Sequence, residues 1–144
     1  MAVLALGISW SASAQKDYKL WLQYDRITNL NLQTAYLSNS KKIIIFGNSE
    51  TITIAGHELQ SALTAMLGKK IESGMNLDGS HTIIIGSRAS LSQEILKAID
   101  ADYDLINDEG YIIKTVAINN NRHIVITGKK DVGVLYGVYN FLRL

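Results

Sequence analysis

The sequence contains no cysteine and no proline among its 144 residues. Without cysteine the chain has no disulfide, thiol nucleophile or cysteine metal site, although the redox compartment stays undecided. Without proline, its turns must be made by glycine, asparagine, aspartate and serine. An excess of one charge is also lacking, because 14 basic and 13 acidic residues leave a net charge of +1. The chain therefore has no basic footprint for nucleic acid and no cationic face for a membrane surface.

An apolar fraction of 47% with 19% charged residues is typical of a globular chain, and the length predicts one domain.

The first ten residues are apolar but too few to span a bilayer. Ala12 and Ala14 then fit the A-x-A pattern of a cleavage site. We predict that residues 1–14 are an export signal, truncated because its positive start is missing, rather than an ordinary strand or helix. Residues 15–144 would then be a periplasmic or extracellular domain.

Apolar periodicity predicts strands interleaved with helices, and the stretch Asp25–Asn39 stays ambiguous. The best hairpin signal is Asn119–Arg122, because asparagine tolerates positive φ. The pattern predicts a single-domain α/β (α+β) sandwich: a mixed sheet with about three helices packed mainly on one face. The predicted strands are Tyr18–Tyr24, Lys41–Phe46, Glu50–Ile54, Thr82–Ile85, Tyr111–Ile118 and His123–Thr127, and the predicted helices are Ala55–Leu67, one capped by Ser90 or Ser92, and one capped by Asp131.

The last helix carries two glycines four residues apart, Gly133 and Gly137. A glycine inside a helix costs about 1 kcal/mol relative to alanine, so this pair indicates close approach of another backbone. That backbone is either the chain's own sheet or a partner. No glycine, asparagine or proline closes the helix before Leu144, where a C-cap signal is expected. We therefore expect the natural polypeptide to continue past this residue.

The histidines do not form a metal motif. His57-Glu58 begins like HExxH, but Ser61 stands where the second histidine is needed. Glu58 is more simply explained by the positive end of a helix dipole. The other two histidines, His81 and His123, are far apart in sequence, and a metal site needs more ligands than they offer.

One run of the chain is dense in carboxylates, which predicts a solvated acidic turn. Two other interpretations are a carboxylate pair for general acid–base chemistry and a calcium loop. The calcium loop fails because Leu105 stands where glycine is needed. The five carboxylates are Asp100, Asp102, Asp104, Asp108 and Glu109.

The segment Gly86–Ser90 joins a predicted strand to a helix, as a phosphate-binding loop does. It lacks a second glycine and a GK[ST] motif, so a tight turn is the simpler interpretation. No serine, histidine and aspartate can be grouped by spacing. The sequence therefore predicts no catalytic residue, no metal and no cofactor in this chain.

Four pieces of the sequence resemble the N-terminal domain of the glycoside hydrolase family 67 α-glucuronidases, and the likeness covers essentially all of the mature chain. The middle pieces are also similar to the small α/β domain that precedes the barrel in β-N-acetylhexosaminidases. The resemblance implies an open mixed sheet backed by helices. The four pieces are Asp17–Ile27, Ala55–Gly68, Glu109–Lys114 and Gly133–Leu144.

In that family the reaction takes place in a (β/α)₈ barrel that follows this domain. The enzymes remove glucuronic acid, usually 4-O-methylated, from the ends of xylo-oligosaccharides with inversion, which needs two carboxyl groups across the sugar. No position here matches the catalytic motif. The resemblance therefore implies an accessory domain whose partner is the barrel of the same polypeptide. The resemblance implies that the parent enzyme, rather than this domain alone, acts on the oligosaccharide derived from glucuronoxylan. The residues predicted to meet the barrel are Gly133, Gly137, Tyr136 and Arg143.

Two alternatives remain open. A free-standing carbohydrate-binding module would use exposed aromatics, for which Tyr18 and Trp21 are the candidates, with Tyr24 expected to be buried. An aromatic fraction of 8% counts against it. The other alternative is the equivalent domain of a hexosaminidase-like glycosidase, which only the sequence of its barrel would distinguish. As an isolated piece, the accessory domain is expected to expose an apolar patch and to self-associate weakly.

Overall fold

A computed structural model of the chain describes residues 24–77, 79 and 81–143. The predicted export signal and all but the last residue of the predicted first strand lie outside this part. None of the helices within it is long and apolar enough to span a bilayer. The helices are α1 (Leu30–Asn39), α2 (Glu50–Leu67), α3 (Gln93–Ile99), a 3-10 helix (Asp100–Leu105) and α4 (Asp131–Phe141), and the strands are β1 (Lys42–Ile45), β2 (Glu72–Gly74), β3 (Thr82–Ser87), β4 (Tyr111–Ile118) and β5 (Asn121–Gly128).

The five strands form one mixed sheet in the order β2-β1-β3-β5-β4. The pairs β1–β2, β1–β3 and β3–β5 are parallel, and β4 is antiparallel to β5. The central strands β1 and β3 contain runs of three isoleucines, which predict burial on both faces of a sheet. All six residues of β3 are indeed buried. The predicted α/β class with a mixed sheet is confirmed.

Helices cover both faces of the sheet, and the longer ones share a face. Ile43, Ile83 and Ile126 pack with residues of α2 and α4 in one core cluster. Their strand neighbours Ile44 and Ile84 point to the opposite face, where α3 and the 3-10 helix cover them. The described part of the chain has four α-helices rather than three, because the ambiguous stretch contains α1. Asn29 begins that helix, and its side chain accepts a hydrogen bond from the Leu32 backbone N–H at 3.1 Å.

The predicted strand Glu50–Ile54 is wrong, because these residues form the first turn and a half of α2. Its alternation of threonine and isoleucine has the period of a strand. Ser49, however, caps the helix by accepting a hydrogen bond from the Ile52 N–H at 3.2 Å. Ile52 is then 1% exposed and belongs to the same core cluster as Leu59. Tertiary burial of this helical stripe outweighs the weak strand preference of the β-branched residues.

The predicted hairpin is present, with a tighter turn than the sequence indicated. Ile118 pairs with Asn121, so only Asn119 and Asn120 lie outside the ladder. Both have positive φ, 50° and 63°, as the two central residues of a type I′ turn require. The strand β5 therefore begins at Asn121, two residues earlier than predicted. On its other side β5 pairs in parallel with β3, and this register places His123 beside Thr82.

Candidate functional site

Open α/β sheets bind ligands at the edge of the sheet where the parallel strands end. In this chain the edge is closed by contacts of its own. The Ser90 Oγ lies 3.1 Å from the Phe46 carbonyl and 3.0 Å from the Ser87 carbonyl, so its single proton is shared between the end of β1 and the turn after β3. The Arg88 N–H donates to the Gly128 carbonyl at 2.9 Å, which ties the same turn to the end of β5. These bonds occupy groups that a ligand would need.

The turn Gly86–Ser90 is a tight strand-to-helix connection, not a phosphate cradle. The Ser90 and Leu91 backbone N–H groups both donate to the Ser87 carbonyl, at 2.9 Å and 3.1 Å. Ser92 occupies the N-cap position of α3, but its side chain makes no capping bond. The Ser90 and Leu91 N–H groups are thus paired within the turn and are not offered to a ligand, unlike those of a phosphate cradle.

Two helix N-termini meet at this edge, and a carboxylate of the chain itself lies between them. Asp131 was predicted to cap α4, but Lys130 holds the N-cap position and Asp131 is the first helical residue. Its Oδ2 accepts a hydrogen bond from the Ser49 Oγ, the cap of α2, at 2.6 Å. A negative charge near a helix N-terminus is stabilising. Asp131 supplies that negative charge at the N-termini of both α2 and α4. An anionic ligand would therefore find little remaining positive potential at this edge.

The acidic residues are spread over separate ion pairs rather than gathered in a site. Asp100 contacts Arg88 at 2.7 Å, Asp102 contacts Lys114 at 2.6 Å, and Asp108 contacts Lys130. Lys130 lowers the pKa of Asp108, which is the opposite of what a general acid requires. Within the described ranges no group of three or more histidine, cysteine, aspartate or glutamate residues could hold a metal ion. The predicted solvated acidic turn agrees with these surface pairs.

The sequence did not show that this acidic run is anchored by a buried tyrosine. Tyr103 is fully buried, and its hydroxyl lies 2.7 Å from the Thr127 Oγ1 of β5. Thr127 donates its only hydroxyl proton to the Gly86 carbonyl at 2.6 Å, so Tyr103 must be the donor to Thr127. Burial raises the pKa of Tyr103. This chain of bonds fixes the 3-10 helix to two strands and has a structural role.

The histidines and Glu58 also have structural partners. His123 is 2% exposed, and its Nδ1 lies 2.7 Å from the Thr82 Oγ1. Burial lowers the pKa of His123, with a smaller contribution from His81. The Tyr24 hydroxyl donates to the Glu58 Oε1 at 2.7 Å, and Glu58 is 7% exposed. Because α2 begins at Glu50, Glu58 lies more than two turns inside the helix, so the helix dipole that the sequence suggested does not account for it. The bond from Tyr24 holds Glu58 instead, and His57 is exposed.

Two neighbouring concavities lie at the other edge of the sheet, near the amino ends of β3 and β5, and a separate one of about 360 Å³ lies between Arg88 and α3. An apolar groove of about 250 Å³ runs between α1, α2 and the end of α4, and none of the described residues that line it is charged. Next to it is a more polar groove of about 390 Å³ that includes Arg122 and His81. Both grooves share Tyr36, Ser40 and Phe141 in their walls. They form one continuous surface around the end of α4.

A comparison with protein-family models shows what kind of domain carries this arrangement. The model of the glycosyl hydrolase family 67 N-terminus matches residues 20–141, which is most of the chain. The chain belongs to this family. A comparison with curated proteins gave no match. The resemblance inferred from the four sequence pieces is therefore confirmed at the level of the family domain.

The glycosyl hydrolase family 67 N-terminal domain uses its two helix glycines internally. A Cβ on Gly133 would stand 2.3 Å from the Gly110 carbonyl oxygen. A Cβ on Gly137 would stand 2.8 Å from the Ile126 Cγ2 and 3.1 Å from the Tyr111 Cβ. Both glycines are buried and close to the chain's own backbone and side chains, which is the first of the two partners that the sequence left open. Their place in an interface with the barrel stays a prediction. They let α4 approach the chain's own β4–β5 hairpin and the turn before it.

The remaining predicted site residues have different outcomes. Tyr136 is 45% exposed on the outer side of α4, and Arg143 is exposed just after that helix, so both are accessible to a partner. The candidate sugar-stacking residues Tyr18 and Trp21 lie outside the described residues. Tyr24 is half-buried and bonded to Glu58, in line with the expected burial of its ring.

Proposed function

We propose that the chain is the non-catalytic N-terminal accessory domain of an α-glucuronidase, packed on a catalytic (β/α)₈ barrel in the same polypeptide. The parent enzyme would remove terminal (4-O-methyl)glucuronic acid from xylo-oligosaccharides during xylan breakdown. The observation that carries the proposal is the family match over residues 20–141. A domain that forms the N-terminus of a glycosyl hydrolase implies a catalytic domain elsewhere in that hydrolase.

The chemistry of the described residues supports a non-catalytic role. An inverting glycosidase needs one carboxyl group with a raised pKa and a second one about 6.5–9.5 Å away to activate water. Here Asp100, Asp102 and Asp108 each face a different cation, and the pKa of Asp108 is lowered. The edge of the sheet that binds ligands in related architectures is occupied by the chain's own serine and backbone bonds.

The expected site of action is outside the cytoplasm. The support is the apolar start of the chain followed by the small residues Ala12 and Ala14. N-terminal sequencing of the protein secreted by its natural host would test this part. A mature chain that begins near Gln15 agrees with the proposal, and an intact Met1 in the cytoplasmic fraction contradicts it.

An activity comparison tests the main proposal. The parent polypeptide and the chain 1–144 are incubated side by side with aldouronic xylo-oligosaccharides, and released glucuronic acid is measured. We expect release by the parent only. Release by the 144-residue chain would overturn the non-catalytic role. A parent that cleaves N-acetylhexosaminides instead would assign the domain to a hexosaminidase-like enzyme. Binding of xylan fragments by the chain alone, with no barrel encoded after it, would favour a carbohydrate-binding module.

A further inference from the structure

One surface of this domain is apolar, open and bordered by cations that form no ion pair within the described part of the chain. We call it the amino-edge surface and define its apolar centre by Leu32, Tyr36, Phe141 and Leu142. Leu32 and Tyr36 are 47% and 44% exposed. They lie four residues apart on α1 and therefore on one side of that helix. Tyr36 and Phe141 belong to both grooves, which makes the surface continuous.

The helix α1 indicates that this surface is covered in the working protein. It has ten residues, none of them buried, although it contains Leu30, Leu32 and Tyr36 in exposed positions. A helix of this length is marginal by itself, and most helices are stabilised by packing an apolar face. Gln33 donates to the Leu67 carbonyl at 2.9 Å, and this bond holds one side of α1 against α2. The side that carries Leu32 and Tyr36 faces the open groove.

The charges around the surface indicate the chemistry of its partner. The cations at its border are Arg26 beside Gly68, Arg122 in the polar groove, and Arg143 directly after Leu142. None of these three forms an ion pair within the described residues, where the ion pairs involve Arg88, Lys114 and Lys130. The acidic run thus pairs with other cations than these three. An apolar centre bordered by free guanidinium groups is complementary to an apolar ridge flanked by carboxylates.

We infer that the amino-edge surface is the docking site for the catalytic domain of the same polypeptide, which would present an apolar ridge flanked by aspartate or glutamate. This inference rests on the proposed function. The course of the chain supports it, because Phe141 ends α4 within both grooves and any polypeptide that follows α4 leaves from this surface. The outer side of α4 around Tyr136, which the sequence suggested, would then remain in solvent.

Two tyrosines with the same exposure provide a matched test. Tyr36 is 44% exposed on α1 and Tyr136 is 45% exposed on α4, and the chain has no cysteine. Tyr36→Cys and Tyr136→Cys are each made in the chain 1–144 and in the full-length parent. The rate of reaction of the new thiol with a chromogenic disulfide is then measured, after subtraction of the unsubstituted protein. Both thiols should react at similar rates in the 144-residue chain.

The expected result in the parent is at least tenfold protection of the thiol at position 36 and little protection at position 136. Equal protection at the two positions, or greater protection at 136, overturns the inference and leaves the proposed function standing. A parent without glycosidase activity overturns the proposed function, and the inference with it. Protection at position 36 in the 144-residue chain that rises with protein concentration assigns the surface to a second copy instead.

A second pair of variants tests the charged border. Arg122→Glu is combined with Tyr36→Cys in the parent, and Lys97→Glu is the control because Lys97 is an exposed cation on α3, away from the surface. Charge reversal at an interface border weakens docking, so the thiol should become at least threefold more reactive with Arg122→Glu and unchanged with Lys97→Glu. An equal effect of the two variants contradicts a carboxylate-flanked partner.

Discussion

Substitution of Gly133 by alanine distinguishes two effects on the free energy of unfolding. The higher helix propensity of alanine would raise it, whereas a steric clash of the new Cβ with a nearby backbone would lower it. In an exposed helix, alanine would raise the free energy of unfolding by about 1 kcal/mol relative to glycine. Here the new Cβ would stand 2.3 Å from the Gly110 carbonyl oxygen, with the Glu109 oxygen also within 3.3 Å. These are backbone atoms, so no side-chain rotation relieves the contact. The helix and the turn must move apart by about 1 Å.

We expect Gly133→Ala to lower the free energy of unfolding by about 2 kcal/mol, within the usual range for overpacking. For a domain of this size that corresponds to a fall of about 6 °C in the melting temperature. Gly137→Ala should cost less, because its nearest neighbour at 2.8 Å is the Ile126 side chain, which can adjust. Urea unfolding followed by circular dichroism measures both values.

Tyr136→Ala in the same helix is the control, and it should change the free energy of unfolding by no more than about 0.5 kcal/mol, as exposed positions do. A Gly133→Ala variant as stable as the original protein, or more stable, would refute the close approach between α4 and the turn at Gly110. The glycine pair would then have to be explained by a partner outside the described residues.

Three further predictions concern hydrogen bonds. Tyr103→Phe removes the donor to Thr127 and should cost about 1 kcal/mol in urea unfolding. Ser49→Ala removes the cap of α2 and the donor to Asp131, so we expect a loss of about 1–2 kcal/mol, also by urea unfolding. His123, whose pKa is lowered by burial, should make the free energy of unfolding fall as the pH drops below about 6.5, because the unfolded chain binds the proton more tightly.

Each of these predictions has a control. Ser92→Ala is the control for Ser49→Ala, since Ser92 makes no capping bond and its loss should change little. His123→Gln should flatten the pH dependence between pH 7.5 and 5, and an unchanged slope would mean that another group causes it. If Tyr103→Phe does not lower the free energy of unfolding, the hydrogen bond from Tyr103 to Thr127 is no more favourable than the bond that the same hydroxyl makes to water in the unfolded chain.

The strands and the hairpin were largely predictable because their determinants are local. Runs of isoleucine mark strands buried on both faces, and β1 and β3 bear this out. A pair of asparagines supplies positive φ, and Asn119 and Asn120 form the turn. Gly68, which directly follows the predicted helix Ala55–Leu67, has φ of 64° and its N–H donates to the Thr64 carbonyl at 2.9 Å, as a helix-ending glycine does.

The errors arose where distant residues decide the local structure. Glu50–Ile54 alternates like a strand, but Ile52 becomes part of the helix stripe that α2 buries. Asp131 has the side chain of an N-cap, but its carboxylate is bonded to Ser49, which is 82 residues away in the chain. Neither partner can be identified from a window of sequence, because a strand order and a helix placement must first bring the two together.

The sequence by itself determined the fold class and the family, since these follow from periodicity, residue types and short local motifs. Only the tertiary structure decided which side of each helix and strand is buried and which is exposed to solvent. Gly133 and Gly137 are turned to the chain's own backbone, whereas Tyr36 and Arg122, which no motif marks, border an open surface. Burial is a property of the packed chain, because it depends on which distant side chains occupy the space around a residue.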